Sequence, residues 1–253
     1  MKRLKIQEHI FTLLPPYGLD KQIKLSSGVK SEDKYKFSLG LRPDQMADEI
    51  TAQVVYSDGS KGNSVVYSVK QYASEVSDAD ASRAFVDAML TYGAFSQLYT
   101  GENTDNLVTD VTDYTENAVI GEEFTHKISS NIPGVSVKSA TLQLGADVTI
   151  KVKYQLPEGA DVNDYTFKCD GTVMKAEKSG DYYYVYLKHI APQNFDKMHT
   201  FTVSDGENTT TLEYSAFSYM KNVLDNPDSY NKSIVNLMNS MYDYNKEAKA
   251  YIG

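Results

Sequence analysis

The side chains that most often do chemistry are scarce in this chain of 253 residues. It has one cysteine, Cys169, and four histidines, His9, His126, His189 and His199. No two histidines have the spacing of metal ligands, and the metalloprotease, nucleophile-elbow, P-loop and dinucleotide-binding motifs are missing from the sequence. We therefore predict that the protein is not an enzyme, that it uses no cofactor, and that the histidines are ordinary surface or rim residues.

The cysteine has the sequence context of a core residue. Cys169 ends the segment YTFKC, in which it alternates with Tyr165 and Phe167. Residues with this spacing share one face of a strand, so a small core residue is a better interpretation than a nucleophile. A single cysteine also excludes an internal disulfide and a Cys-rich metal site, and we predict that the chain binds no metal.

A row of tyrosines is the strongest candidate for a binding site. The segment DYYYVYL (181–187) is predicted to be a strand, whose alternate residues point to opposite faces. One face would carry the core residues Tyr183, Val185 and Leu187. The other face would carry Tyr182, Tyr184 and Tyr186. An exposed strip of this kind can stack on sugar rings or receive a partner protein. The alternative is that the strip packs on helices or on the first half of the chain.

The segments around this strip occur twice. VVYSDGSKGNSVVYSVKQY (54–72) returns as TVSDGENTTTLEYSAFSY (202–219), and MLTYGAFSQLYTG (89–101) returns as MYDYNKEAKAYIG (241–253). The matched positions are mostly apolar or turn-forming, which is typical of a duplicated packing unit and not of a duplicated catalytic site. We therefore predict two tandem homologous units.

Each unit is expected to be an antiparallel, β-sandwich-like sheet followed by a short and a long helix. The segment VTIKVKYQL (148–156) alternates apolar and polar residues, as half-buried antiparallel strands do. Short helices are predicted over 69–76 and 217–224. Apolar residues at every third or fourth position predict long helices over 85–99 and 234–251. The predicted fold class is α+β, mainly β, with the two helices of each unit forming a hairpin that covers one face of the strands or seals an end of the sandwich.

The first unit is predicted to be incomplete at its start. Residues 12–28 match 154–171 loosely, but no segment before them matches SATLQLGADV (139–148). One strand is therefore lost or replaced, with Leu4 and Ile6 as a candidate substitute. If they do not substitute for it, the sheet has an open edge that invites pairing with another chain.

A strongly acidic segment separates the two units. Residues 102–123 contain seven acidic side chains and no basic one, which indicates a solvated linker. We therefore divide the chain into a first unit at 1–101, a linker at 102–133 and a second unit at 134–253. Calcium binding is the alternative for the acidic segment. The spacing of an EF-hand loop is missing there, and this favours the linker.

Composition restricts the classes of partner. The net charge is −9 and there is no block of lysine or arginine, so we predict that the protein binds no nucleic acid. No apolar stretch is long enough to span a membrane. The apolar run Ile10–Leu14 is too short for the core of a signal peptide, so we predict no export signal in this chain.

The repeated segments also resemble a known kind of module. The segments 47–73 and 85–107, and again 180–203 and 244–253, resemble a repeated extracellular module near the C-termini of large secreted or surface proteins of anaerobic, Ruminococcus-type gut Firmicutes. The resemblance covers nearly all of 33–253. It implies an extracellular or cell-surface location and no established catalytic residues.

We therefore predict a non-catalytic structural, spacer or interaction module of a bacterial surface or secreted protein. The expected partners are a polysaccharide or another surface protein. One alternative is a carbohydrate-binding module that uses Tyr182, Tyr184 and Tyr186, and a second is an unrecognised hydrolase.

Overall fold

The protein is a mixture of helices and antiparallel strands. The computed structural model describes the backbone of four early strand segments and both backbone and side chains of most of the chain from residue 39, in the ranges 10–14, 21–24, 29–31, 34–36, 39–56 and 58–252. Helix accounts for 33% and strand for 30% of the structure. The predicted combination of helices with antiparallel sheets is confirmed. The expectation of a mainly β protein is wrong, because helical residues make up as large a share of the structure as strand residues do.

The described part of the first half contains six strands followed by two helices. The strands are β1 (Ile10–Leu14), β2 (Lys21–Lys24), β3 (Val29–Ser31), β4 (Lys34–Lys36), β5 (Ile50–Val55) and β6 (Lys61–Tyr67). The helices are α1 (Val69–Glu75) and α2 (Arg83–Thr100). A short 3-10 helix over Pro43–Gln45 leads into β5. The predictions for Leu4, Ile6 and His9 lie outside the described residues.

The second half contains nine strands followed by two helices. The strands are β7 (Lys127–Ser129), β8 (Ser136–Leu144), β9 (Val148–Gln155), β10 (Thr166–Cys169), β11 (Thr172–Val173), β12 (Glu177–Ser179), β13 (Tyr182–Ile190), β14 (His199–Ser204) and β15 (Thr209–Tyr214). The helices are α3 (Ala216–Leu224) and α4 (Lys232–Ile252). A 3-10 helix over Pro192–Asn194 leads into β14.

The strands of the second half form two facing sheets. One sheet has the order β11-β10-β14-β15-β7, and the other has the order β12-β13-β9-β8. The Tyr214 hydroxyl of the first sheet donates a hydrogen bond to the carbonyl oxygen of Ala140 in the second, at 2.9 Å. The β-sandwich predicted for this half is therefore present. In the first half, the described strands form a four-stranded sheet, β2-β1-β5-β6, and a two-stranded sheet, β3-β4.

Alternating side chains explain why β9 forms between two other strands. Its apolar residues are buried and face the other sheet, namely Val148, Ile150, Val152 and Tyr154. Lys151 and Lys153 point to the opposite side and are only half-buried. β9 pairs with β8 on one side and β13 on the other. The period-two pattern of the sequence therefore fixed both the strand and the face that it buries.

The four helices lie where the sequence predicted them, the two long ones from apolar periodicity. The short helices α1 and α3 both begin after a serine, Ser68 and Ser215, whose side-chain oxygen accepts a hydrogen bond from the backbone of the first turn. The long helices α2 and α4 include the two predicted apolar stripes. Among the described residues, we find no helix with both the length and the hydrophobicity needed to cross a bilayer.

The long helices join the two halves. Tyr92 and Phe95 of α2 belong to the large core that the second half builds between its sheets and helices. The opposite side of α2 contributes to a smaller core that contains Ala47, Ala73, Val86, Leu90, Ala94 and Val108. Aromatic rings stack along the seam between α2 and α4. The ring of Tyr244 lies 5.5 Å from that of Phe85 and 5.6 Å from that of Tyr92.

The acidic segment is bound to α4 over much of its length. We call residues 108–121 the strap. Asn239 of α4 accepts a hydrogen bond at Oδ1 from the backbone nitrogen of Ala118 (2.7 Å), and it donates from Nδ2 to Asn117 (3.0 Å). Asn236, one turn earlier, holds the strap in the same way. Two apolar side chains of the strap are buried, Val108 and Ile120.

The prediction of a solvated linker is therefore wrong for the strap, although its acidic side chains are exposed. The composition of the strap correctly indicated that its acidic side chains face solvent. It could not indicate that two asparagines of α4 bind the backbone of the strap. The predicted unit boundaries at 101 and 134 stay predictions.

Candidate functional site

The three tyrosines singled out by the sequence lie on the outer face of the sheet β12-β13-β9-β8. Tyr183 and Val185 are buried against the core, and Tyr182, Tyr184 and Tyr186 alternate with them along β13. The three are half-buried, and none of them packs against the large core. Their spacing along the strand is roughly 6.5 Å, twice the rise per residue. We call this surface the tyrosine face.

A row of lysines lies beside the tyrosines. Lys153 is opposite Tyr184 and Lys151 is opposite Tyr186 in the pairing of β9 with β13. The Lys153 ammonium lies 3.5 Å from the centroid of the Tyr182 ring, and the Lys151 ammonium lies 4.4 Å from that of Tyr184. These are cation–π distances, so the lysines contact the rings and contribute to their partial burial.

Polar side chains complete the face on its outer strands. On β8, Ser139 and Thr141 are opposite Lys153 and Lys151, respectively. On β12, Glu177 is opposite Tyr184. Burial, with smaller effects from Glu177 and Tyr184, raises the pKa of Tyr186 above its ordinary value, so its hydroxyl is protonated and can donate at neutral pH.

The predicted alternative for the tyrosine strip was packing on the helices or on the first half. Among the residues whose side chains the structure describes, the three rings point away from the core and lie beside the lysines of β9. The face therefore combines aromatic rings, ammonium groups and hydroxyl groups in adjacent rows. Such a surface can stack on a flat apolar ring while it donates hydrogen bonds to the polar edge of that ring.

A second group of reactive side chains was not predicted from the sequence. Cys169 at the end of β10, Asp170 in the following turn and His199 at the start of β14 each offer one donor atom, and these atoms lie within 4.8 Å of one another. The Nδ1 atom of His199 lies 2.7 Å from a carboxylate oxygen of Asp170. The other carboxylate oxygen accepts from the backbone nitrogen of Thr200 at 2.9 Å.

The surroundings of Cys169 and Asp170 shift the pKa values of both side chains. Burial, assisted by the charge of Asp170, raises the pKa of the Cys169 thiol to about 12. Burial pushes the pKa of Asp170 upward, but the hydrogen bonds from Thr200 and His199 outweigh it and lower that pKa below its ordinary value. The carboxyl group is therefore ionised at neutral pH, and the thiol is protonated.

The described histidines differ in their surroundings. His199 is 7% exposed, so the prediction that it is a surface or rim residue is wrong. Its Nε2 atom is buried and has no hydrogen-bond partner within the described part of the chain. His126 and His189 are exposed as predicted, and His189 pairs with Asp147. Nothing in the sequence pattern could join Cys169 to His199, because 29 residues separate Asp170 from its imidazole partner.

Two concave surfaces involve residues of the first half. A groove of about 340 Å³ lies on the sheet β2-β1-β5-β6 and is lined almost entirely by apolar atoms, including those of Val65, Tyr67 and Tyr72. A smaller cavity of about 160 Å³ lies at the seam between the halves, between Tyr99 of α2 and Leu237 of α4. Neither contains the reactive side chains described above.

Comparison with known proteins adds no family assignment: no protein-family model matches the chain, and no curated protein is significantly similar to it.

Proposed function

We propose that the protein is a non-catalytic extracellular interaction module, built from two tandem homologous units, whose tyrosine face binds a polysaccharide. The proposal has two parts, the internal duplication and the binding surface. Each part has its own support in the contacts described above.

The order and register of the strands support the duplication. The sheet order β2-β1-β5-β6 corresponds to β11-β10-β14-β15. Ile50 is opposite Tyr67 where β5 pairs with β6, and His199 is opposite Tyr214 where β14 pairs with β15. These residues also match in the sequence repeat, so pairing geometry and sequence point to the same correspondence.

A loop contact that recurs in both halves supports it independently. β5 and β14 each follow a 3-10 helix that begins with proline. The carbonyl oxygen that ends the first of these helices, on Met46, accepts from the backbone nitrogen of Lys70 at 3.1 Å. The corresponding oxygen of Phe195 accepts from the backbone nitrogen of Phe217 at 3.0 Å. In both cases the donor is the second residue after the serine that caps the short helix.

The strand order also indicates which strand of the second unit corresponds to β1, the first described strand of the first unit. β1 lies beside β5 as β10 lies beside β14, with Phe11 opposite Val54 and Phe167 opposite Val203. β1 therefore corresponds to β10, and not to the end of β9 as the loose match with residues 154–171 had suggested. On this basis, the described strands of the first unit contain no counterpart of β8 or β9.

Exposure supports the proposal that the first unit is incomplete. Leu212 and Tyr214 of β15 are buried beneath β8, whereas the corresponding Val65 and Tyr67 of β6 are 63% and 37% exposed. Loss of the covering strands explains why apolar side chains of β6 face solvent on both sides of the strand.

The single observation that carries the binding proposal is the outward direction of three tyrosines on alternate positions of one strand. Core packing requires only the inward set, which Tyr183, Val185 and Leu187 provide. The corresponding outward positions of the first unit are lysine or serine in the sequence, at Lys34, Lys36 and Ser38. Packing of the repeated unit therefore does not require tyrosines there, and a role in recognition is the better explanation.

The chemistry of the face favours a carbohydrate, and among carbohydrates an acidic one. Sugar rings offer apolar C–H faces that stack on aromatic rings and hydroxyl groups that bond to polar side chains. Three lysines contact the tyrosine rings, Lys151, Lys153 and Lys188, and they would attract carboxylate groups on a uronic-acid polymer. This local basic character contrasts with the net charge of −9.

The spacer hypothesis remains the main alternative, and it requires no ligand on the tyrosine face. The hydrolase hypothesis has less support at the described thiol–imidazole pair, because a thiol with a pKa of about 12 is protonated at neutral pH and is a poor nucleophile. An extracellular or cell-surface location, and kinship with modules of gut Firmicutes, are part of the proposal and follow from the resemblance of the repeated segments.

Affinity electrophoresis tests the binding proposal. The purified chain is run in native gels that contain either an acidic polysaccharide, such as polygalacturonate, or a neutral β-glucan. We expect retardation by the acidic polymer. Tyr184→Ala should weaken binding by ~2–10-fold, which corresponds to the ~0.5–1.5 kcal/mol of an aromatic contact.

Tyr72→Ala is the matched control, because Tyr72 is exposed in the first half and far from the face in sequence. Retardation that Tyr184→Ala and Tyr72→Ala change equally would argue against the tyrosine face. A wild-type chain that no polysaccharide retards would leave the spacer hypothesis as the better one.

A further inference from the structure

We propose that Cys169, Asp170 and His199 form a binding site for a thiophilic divalent metal ion of the Zn²⁺ type. The three residues come together because β10 and β14 are adjacent antiparallel strands, with Cys169 opposite Phe201. The backbone nitrogen of Asp170 donates to the carbonyl oxygen of Thr200 at 2.9 Å, and this bond closes the corner of the sheet.

The donor set has the composition of a zinc site. Thiolate sulfur, imidazole nitrogen and carboxylate oxygen are the three ligand types that Zn²⁺ binds in proteins. One donor atom of each type lies within 4.8 Å of the other two, so small side-chain movements would bring them to one ion. Three protein ligands leave the fourth tetrahedral position for solvent. The Asp170 side chain is 40% exposed and gives the ion a way in.

An orphaned nitrogen is the second, independent observation. The Nε2 atom of His199 is buried with no partner in the described part of the chain, although the ring as a whole is more than nine-tenths buried. Buried polar atoms without a partner are rare, so a histidine held here favours a role other than packing. The other ring nitrogen, Nδ1, lies 2.7 Å from a carboxylate oxygen of Asp170, so an ion that replaces the proton between these two atoms would bind both groups.

The corresponding corner of the first unit shows that packing does not require this polar trio. On the proposed duplication, strand register places Leu13 opposite Ala52, as Cys169 is opposite Phe201. The residues that correspond to Cys169, Asp170 and His199 are thus Leu13, Leu14 and Ile50. All three are hydrocarbon residues in the sequence, whereas the second unit has three potential metal ligands at the corresponding register positions.

The protonation state of the thiol is compatible with binding. The thiolate is the form of cysteine that binds the ion, so the Cys169 thiol releases its proton to solvent when its sulfur bonds to the metal. The ion replaces the proton on sulfur, and no electron is transferred.

Cobalt substitution tests the site in the full chain. Metal-free protein is titrated with Co²⁺, and we expect the near-ultraviolet charge-transfer absorption of a thiolate bound to cobalt. Addition of Zn²⁺ should abolish that absorption by displacement, and Zn²⁺ alone should raise the melting temperature. Cys169→Ala should abolish both the absorption and the shift in melting temperature.

Two further variants separate this site from unspecific binding. His199→Ile introduces the residue that the first unit has at the corresponding position, so it should fold and yet lose the cobalt signal. His189→Asn removes a second histidine–carboxylate pair, with Asp147, and should leave the signal unchanged. No thiolate-to-cobalt absorption in the wild type, or a Zn²⁺-induced melting shift that persists in Cys169→Ala, would overturn the proposal. Neither result bears on the tyrosine face.

Discussion

A comparison of two corresponding core positions tests whether the sheet of the first half is uncovered in solution. Leu212 on β15 is 1% exposed, because β8 lies over it, whereas Val65 on β6 is 63% exposed. Both residues belong to the strand that immediately precedes a short helix. We propose the paired substitutions Leu212→Ala and Val65→Ala.

The structure predicts very different costs. Leu212→Ala removes three buried carbons, which is ~2.4 kcal/mol at ~0.8 kcal/mol per carbon. The residual cavity adds to this, so we expect ~3–4 kcal/mol, within the range for buried leucines. Val65→Ala removes two carbons that are only about one third buried, so burial accounts for ~0.6 kcal/mol. Alanine also has a lower strand propensity than valine, which adds to this cost. We therefore expect a total of about 1 kcal/mol for Val65→Ala.

Urea unfolding followed by far-ultraviolet circular dichroism measures both values on the same chain. The free energy of unfolding should fall by at least about 2 kcal/mol more for Leu212→Ala than for Val65→Ala. A Val65→Ala cost of ~2 kcal/mol or more would refute the reasoning, since it would mean that β6 is covered in solution. Repeating the measurement at several protein concentrations would then show whether a second copy provides the cover.

Three other perturbations follow from described contacts. Asn239→Ala should lower the free energy of unfolding by ~2–3 kcal/mol, because it removes three hydrogen bonds at the strap and within α4; proteolysis within the strap should accelerate in parallel. Gly93→Ala should destabilise the protein by ~1–3 kcal/mol despite better helix propensity, because its Cβ would lie 2.9 Å from a methionine sulfur; Gly145→Ala, which meets nothing closer than 3.7 Å, is the control in thermal melts. Burial raises the pKa of Tyr154 and Tyr214 above the ordinary 10, so the unfolded chain releases these protons first. The stability that they contribute is complete below about pH 10 and should fall above it by ~1.4 kcal/mol per pH unit for each tyrosine, as urea titrations at rising pH would reveal.

Local pattern was sufficient to predict the elements and the direction of their side chains. The alternation in VTIKVKYQL predicted which side of β9 is buried, and the same period placed Tyr182, Tyr184 and Tyr186 opposite Tyr183 and Val185. Apolar periodicity located the two long helices to within a few residues. These predictions succeed because strand and helix periodicity depend on near neighbours in the chain.

The features that sequence reasoning missed depend on contacts between distant residues. The strap was misread because its acidic side chains do point to solvent, while Asn236 and Asn239 of α4 bind its backbone more than 100 residues away. The thiol–imidazole–carboxylate group was missed because Cys169 and His199 meet only through the pairing of β10 with β14. The sequence held one local signal of this group. His199 is a polar residue at a core-facing position at the start of a strand, where packing alone favours an apolar side chain.

The stacked rings along the seam of α2 and α4 give the protein a built-in optical probe. The chain has twenty tyrosines and no tryptophan, so tyrosine alone dominates its near-ultraviolet spectrum. Tyr92 and Tyr244 stack with their ring planes 22° apart, a fixed and asymmetric arrangement of two chromophores. Separation of the two long helices would erase their coupled dichroic band while far-ultraviolet helicity persists, so undocking of the halves can be observed without a label.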